Sequence, residues 1–466
     1  MLNPVVVPMS ESEPQRSIAH NGLSLVPTEI FEYLCTFLYD DKNSLSSATL
    51  VSRSWERVLR RHLFSSISIH VDRFQTIKRF RDFVCTASGV QRYIAHLSLD
   101  SAPYNKYHFI PDFNELTDIV DSLPNLRDLS ITWLWLLNPA FITSTGFEKS
   151  NRCLRSLSLN NPDSGPILYT PHPSAYMNVI SCFSHIDSLR VDLTDYQWQF
   201  NRDRRPLPKP PRDSIHVGKL CLIGWEGTGI IPTLSQMLDK TGLHTVEAIC
   251  RNLSFLSELI TLLRHVQPHT FVIHPSLAEF YVRPNQGLIN ELKFSTCTFL
   301  RKLHFRVNKA DDGYGYLCNW CLISGEHTHA YDTAGALAIL LYQLPPTIEE
   351  IVIELHFWTG RDLEIQLSLY DFHVNEGVNF DWRKLDIALA QHSQLRSVEL
   401  LLFKWRSYAL ELTANPSPLS DSECGWFRER LRKLDETGRL RFSYPPDVAP
   451  LPKHVPAPFS MPNFVI

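Results

Sequence analysis

From Ile94 onward the chain repeats one pattern of apolar positions: an apolar residue, two others, an apolar residue, one other, a third apolar residue. Copies stand at Ile94-Leu97-Leu99, Leu126-Leu129-Ile131, Leu154-Leu157-Leu159, Ile186-Leu189-Val191 and Val217-Leu220-Leu222. Later copies are Leu300-Leu303-Phe305, Ile348-Ile351-Ile353 and Leu395-Val398-Leu400. Weaker ones are Leu243-Val246, and Phe271-Ile273 with Pro268 in the first slot. The period-2 ending of each copy predicts a short strand. Between copies the period changes to that of a helix. Phe113, Leu116, Ile119, Val120 and Leu123 share one helical face, as do Tyr176, Val179, Ile180 and Phe183. Phe255, Leu256, Leu259, Ile260 and Leu263 form a third, Ala336, Ile339, Leu340 and Gln343 a fourth, and Leu385, Leu389 and His392 a fifth. The step is roughly 30 residues at first and roughly 50 near the end, and such units cannot bury an apolar face singly, so they stack. An ordinary open α/β sheet is the rival arrangement.

Residues 22–70 carry a different pattern. Pro27 suits a first helical position, where its missing N–H is not needed, and Glu29 sits where the helix dipole favours an anion. Ile30, Phe31, Leu34, Phe37 and Leu38 then follow at helical spacing. Leu45, Ala48 and Val51 mark a short second helix. Trp55, Val58, Leu59 and Leu63 mark a third, with Arg53, Arg57, Arg60 and Arg61 on its other side. Three short helices bury too little surface to be stable alone. They either cap the larger domain or dock a partner that completes their apolar face.

The order of residues in this stretch resembles the F-box. Leu25-Val26-Pro27-Thr28-Glu29-Ile30 matches its opening, with Val26 where Leu usually stands; Leu34, Leu38 and Leu45 follow; Leu50-Val51-Ser52-Arg53-Ser54-Trp55 matches its closing segment. The resemblance covers about a tenth of the chain. It implies that a Skp-family adaptor, and through it a cullin ubiquitin ligase, is bound by Leu25, Pro27, Ile30, Leu34, Leu38, Leu45, Leu50, Val51 and Trp55. The later pattern is similar to a divergent leucine-rich repeat, although Ala102, Leu134 and Pro162 occupy the slot where Asn or Cys is expected. The combination resembles the fungal F-box proteins with such repeats. The expected fold is α/β: a small three-helix F-box, then an irregular leucine-rich-repeat-like solenoid. The divisions are a disordered leader at 1–21, the F-box at 22–70, the solenoid with a C-terminal capping helix (426–434) at 71–443, and a proline-rich tail at 444–466.

Composition narrows the partners. The chain has 466 residues, 44% hydrophobic and 20% charged, as in an ordinary folded protein. Its net charge of −4 disfavours nucleic acid, which needs a basic footprint. With 18 glycines and 31 prolines, glycine falls below its usual ~7% and proline exceeds its usual ~5%, which suits stiff connections between short elements. No apolar run approaches the ~20 residues that span a bilayer, and the opening MLNPVVVPMS offers no secretory segment. The ten cysteines are therefore expected as thiols in a cytoplasmic or nuclear protein.

Catalytic motifs are few. Cys318 and Cys321 followed by His327 and His329 offer two thiols and two imidazoles, a donor set that suits tetrahedral zinc. The spacing matches no standard finger, and a loop between late repeats is the favoured alternative, so no metal and no cofactor are expected. Gly224, Gly227 and Gly229 read G-x-x-G-x-G, which is not the dinucleotide order. The stretch NRDRRPLPKPPR at 201–212 is either a ligand for polyproline-reading domains or a stiff loop. The chain reads as a non-catalytic adaptor, with a ligase-independent scaffold and a metal enzyme at Cys318–His329 as alternatives. Its unknown protein target is expected on the solvent-facing strand positions, among them Asp100, Asp128, Arg190, Asp192, Lys302, Arg306, Glu350 and Glu354.

Overall fold

The computed structural model describes residues 28–38, 41–71, 74–86, 89–101, 113–132, 152–160, 173–193, 214–224, 230–250, 253–275, 293–307, 340–341, 343–359, 382–406 and 421–443. Three helices come first: α1 (Thr28–Phe37), α2 (Lys42–Thr49) and α3 (Arg53–Phe64). Strands and further helices follow. The first are β1 (Ser66–Val71), α4 (Phe74–Thr86), β2 (His96–Ser101), α5 (Phe113–Asp121), β3 (Asp128–Thr132), β4 (Cys153–Asn160) and α6 (Pro173–Ser181). Next are β5 (His185–Leu193), β6 (His216–Gly224), α7 (Ile230–Met237), β7 (Thr245–Cys250), α8 (Leu253–Val266), β8 (Thr270–Pro275) and β9 (Lys302–Val307). Last come β10 (Glu350–Thr359), α9 (Trp382–Gln391), β11 (Ser397–Arg406), α10 (Asp421–Arg430), α11 (Arg432–Glu436) and β12 (Leu440–Ser443).

The twelve strands form one sheet in strict chain order, β1 to β12. Every neighbouring pair is parallel. Parallel neighbours need a crossover, and α4, α5, α6, α7, α8, α9 and the pair α10–α11 each lie in one of these connections. All ten apolar copies read from the sequence are strands. Their last two positions align across the sheet, Leu97 with Leu129, Leu157, Leu189 and Leu220, and Leu99 with Ile131, Leu159, Val191 and Leu222. The first-slot residues, from Ile94 and Leu126 to Ile348 and Leu395, are also buried, so each strand is anchored from its approach. Together with the inner faces of the helices they make one continuous core.

Several boundaries differ from expectation. A division at 70/71 falls inside β1, because Ile67 and Ile69 align with Leu97 and Leu99 and so belong to the sheet. The capping helix expected at 426–434 is two helices, α10 and α11, followed by a twelfth strand. Asp386 of α9 is buried, and its two carboxylate oxygens accept the backbone N–H groups of Lys433 (2.9 Å) and Leu434 (3.0 Å). It thereby satisfies amides that open α11 and have no partner within their own helix. Gly438, at φ +68°, closes α11: its N–H reaches Asp435 O and that of Arg439 reaches Leu434 O, a Schellman ending. Of the fourth helical pattern, Leu340 is helical and buried and Gln343 lies in a turn, while Ala336 and Ile339 lie outside the described residues, as do the leader at 1–21 and the tail at 444–466. Among the described residues no helix is long and apolar enough to cross a membrane.

Candidate interaction surfaces

The three-helix unit has a core of its own, separate from that of the sheet. Cys35, Leu45 and Leu59 are fully enclosed, with Phe31, Ala48, Trp55 and Leu63 packed around them. The Phe31 and Trp55 rings pack in a tilted arrangement, 4.5 Å between centroids. Local chemistry fixes the turns. Asp41 caps α2 by accepting the N–H of Ser44 at 2.9 Å, and Ser52 caps α3 by accepting that of Trp55 at 3.2 Å. Lys42 Nζ donates to His62 O at 3.0 Å and ties α2 to the end of α3. Burial pushes the Cys35 thiol up, with Glu32 adding to the shift, and pushes the His62 imidazole down.

Outside that core lies a run of exposed apolar side chains. Ile30 is 53% exposed, Tyr33 62%, Phe37 70%, Leu38 36%, Leu50 87% and Val51 53%. The cause is visible in α1. At 100° per residue its apolar positions from Ile30 to Leu38 spread over about 200°, twice the stripe a single packing face covers. Phe31 and Cys35 turn inward, while Ile30, Tyr33, Phe37 and Leu38 face out. Arg53, Arg57, Arg60 and Arg61 of α3 are exposed beside them. Arg60 pairs with Glu56 at 2.6 Å, and Arg61 lies 4.0 Å from Glu32.

Of the nine residues expected to meet an adaptor, Ile30, Leu38, Leu50 and Val51 therefore face outward. Trp55 is half-buried against Phe31. Leu45 is the buried residue of α2 and serves the interior of the unit. Leu34 lies in α1, while Leu25 and Pro27 lie outside the described residues. Tyr33 was absent from the expected set, although the over-wide apolar arc of α1 was its signal.

The second surface is the face of the sheet opposite the main core. Register divides it into zones. On β1 to β4 its middle row is Ser68, Ser98, Ser130 and Ser158. Arg190 on β5 aligns with Ser158 on one side and Cys221 of β6 on the other. Cys221, Ile223, Val272 and Val352 occupy face positions yet are buried, a departure from simple polar–apolar alternation. Burial pushes the Cys221 thiol up to about 11, Glu247 adding to the shift.

Beyond Cys221 the face is charged and internally paired. Glu247 Oε2 lies 2.6 Å from Lys219 Nζ, and its Oε1 lies 3.0 Å from His274 Nε2 and 3.3 Å from Arg306 Nη1. The hydrogen bond with His274 and the attraction of Lys219 hold the Glu247 carboxyl down at about 2 against the cost of burial. Glu354 Oε2 lies 3.2 Å from His304 Nε2 and 3.2 Å from Arg306 Nε. The Arg306 contact is off the line a hydrogen bond needs, so it is charge attraction alone. Lys302 pairs with Glu350 at 3.2 Å. Asp128 receives Arg155 through two bonds of 2.9 and 2.5 Å, and His96 as well.

The eight residues expected to read a target thus share one face but differ in availability. Asp128, Lys302, Arg306, Glu350 and Glu354 are committed to these pairs, and Asp100 and Asp192 are engaged too. Arg190 is exposed and makes no hydrogen bond or ion pair among the described residues.

Cys318, Cys321, His327 and His329 lie outside the described residues, as does the stretch 201–212. Of the glycine-rich turn, Gly224 ends β6, and Gly227 and Gly229 lie outside. Among the described residues no three His, Cys, Asp or Glu side chains are grouped so as to hold a metal. The sequence matches no family model, and no curated protein matches it.

Proposed function

We propose that this protein is the substrate-recognition adaptor of a Skp/cullin/F-box ubiquitin ligase, with an F-box at its N-terminus and a divergent leucine-rich-repeat solenoid behind it. The observation that carries the proposal is the exposed apolar run on the three-helix unit, Ile30, Tyr33, Phe37, Leu38, Leu50 and Val51. A unit with three enclosed residues and six exposed large apolar ones is completed by a partner. Four of the six occupy positions that the F-box resemblance nominates for adaptor contact. The exposed arginines of α3 suit an adaptor surface carrying acidic residues around an apolar groove. The protein does no bond chemistry in this role; it raises the concentration of a target near the ligase's reactive thioester.

The test replaces Ile30, Leu50 and Val51 together by Ala and measures co-purification with a recombinant Skp-family adaptor. Full burial of large apolar side chains is worth about 1.5–3 kcal/mol each, so capture should fall by more than ~100-fold. These residues are exposed, so the thermal transition should stay in place. Capture equal to wild type would refute the proposal. Reconstituted ubiquitin transfer to a captured target then separates a ligase adaptor from a scaffold that binds the adaptor alone.

A further inference from the structure

We infer that the sheet face around Arg190 binds an extended, acidic peptide segment of a protein partner. In the ligase reading this is the target surface, and to that extent the inference rests on it; the peptide binding itself stands apart.

The inference begins with commitment of charge. A side chain already paired on the face must lose its partner before it can meet a ligand, and a partly buried charge left alone is costly. Glu247 and Glu354 are only 14% and 12% exposed, and each is held by at least two basic groups. That zone is closed to new partners. Arg190 differs, being solvent-exposed and free of hydrogen bonds and ion pairs among the described residues. The nearest carboxylates do not compete for it. Asp192, two residues along the same strand, is engaged, and Glu247, two strands away, is taken by Lys219 and Arg306.

The surroundings then define the ligand. Ser158 stands beside Arg190 on β4, with Ser130 next on β3 and Ser188 two residues earlier on β5. These half-buried hydroxyls can donate to an anion or a peptide carbonyl without closing the face. A planar guanidinium presents two parallel N–H groups to a carboxylate, the strongest of the ordinary hydrogen-bonded pairs. Arg190 by itself among these hydroxyls is too little for nucleic acid, whose binding needs many phosphate contacts. It suits a peptide that lies across the strands with a carboxylate seated on Arg190.

The experiment uses the full chain and fluorescence anisotropy with labelled ten-residue peptides in which Glu, Gln or Lys alternates with Ser. The Glu peptide should bind at least ~10-fold more tightly than the Gln and Lys peptides, and salt should weaken it. Arg190→Glu should remove that preference, while Arg190→Lys should retain most of it. Should Arg190→Glu fail to show the wild-type thermal transition, Arg190→Gln takes its place with the same expectation. The Ile30/Leu50/Val51 variant should bind the Glu peptide as wild type does. Equal binding of the Glu and Gln peptides overturns the inference, as does a Glu preference that survives loss of the Arg190 charge. Either result with adaptor capture intact leaves the proposed function standing; lost adaptor capture with intact peptide binding leaves this inference standing.

Discussion

The three-helix unit and the sheet solve the same problem to different degrees. The sheet carries two aligned rows of Leu, Ile, Val and Phe from strand to strand and covers them with helices, so almost every large apolar side chain finds an interior. The helical unit encloses Cys35, Leu45 and Leu59 and leaves Leu50 at 87% exposure. Repetition accounts for the difference. A repeat gains a new neighbour with each copy, while three short helices have no further neighbour to add. Among the described residues the larger region buries nearly all of its large apolar side chains, and the smaller one leaves six of them exposed.

The comparison is broken most directly by emptying each core in turn. Phe271, fully buried on β8, should cost about 3–5 kcal/mol when changed to Ala, and the sheet's main thermal transition should fall with it. Leu45→Ala should cost about 2–5 kcal/mol within the helical unit and leave that transition in place, with amide exchange accelerated in α1 to α3. A joint loss of both regions in the Leu45 variant would mean that they fold as one.

Acid gives the next largest effect. The Glu247 carboxyl titrates at about 2 in the folded protein against an ordinary value of 4.5. The folded state therefore binds fewer protons, and the carboxylate stabilises it on the order of 3 kcal/mol above pH 4.5. That stability is lost as pH falls from 4.5 towards 2. Denaturation of wild type and Glu247→Gln across this range should converge at the acid end, and parallel curves would contradict the pairing. Among its described residues the helical unit carries no comparable carboxylate; hydrogen bonds from Ser44 lower the pKa of Asp41 at an exposed turn.

Asp386→Ala should cost about 1–3 kcal/mol by leaving two amides of α11 without acceptors, and fraying should be confined to α10, α11 and β12. Limited proteolysis of that end reads the effect. The smallest change belongs to the unfilled surface: Leu50→Ser should move stability by no more than about 0.5 kcal/mol. A larger fall in urea denaturation would mean that Leu50 serves the interior of the unit.

What sequence reveals follows the same division. Eight of the ten strand copies were legible because each carries a first-slot apolar residue as well as the alternating pair, and the weaker copies at Leu243-Val246 and Phe271-Ile273 keep part of that pattern. β1 was hidden because Ile67 and Ile69 have alternation alone and abut a helical segment, and β12 is short. The helical unit was legible as three helices, but spacing did not tell Leu45, which points in, from Leu50, which points out. Both are leucines in one small unit, and which one is enclosed depends on how α1 to α3 cross. On the sheet, period-2 reasoning did not single out Glu247; it placed Asp128, Arg190, Arg306 and Glu354 on one face without saying which are paired. That depends on register between strands far apart in sequence, such as Glu247 and Arg306. The same reasoning missed Cys221, Ile223, Val272 and Val352, since it takes that face to be wet throughout.

The strict order of the twelve parallel strands turns the chain into a ruler. With neighbouring strands ~4.8 Å apart, position in sequence converts to distance along the sheet, and the eleven gaps from β1 to β12 cover about 53 Å. Arg190 lies four strands from β1, about 19 Å from the end where α3 hands the chain to the sheet. Adding or deleting one strand–helix unit between α3 and β5 would move Arg190 by one division of that scale, about 5 Å, while leaving the exposed face of α1 to α3 and the surroundings of Arg190 chemically unchanged. Reach, in such a molecule, is set by how many units stand between two surfaces and can be altered in whole steps.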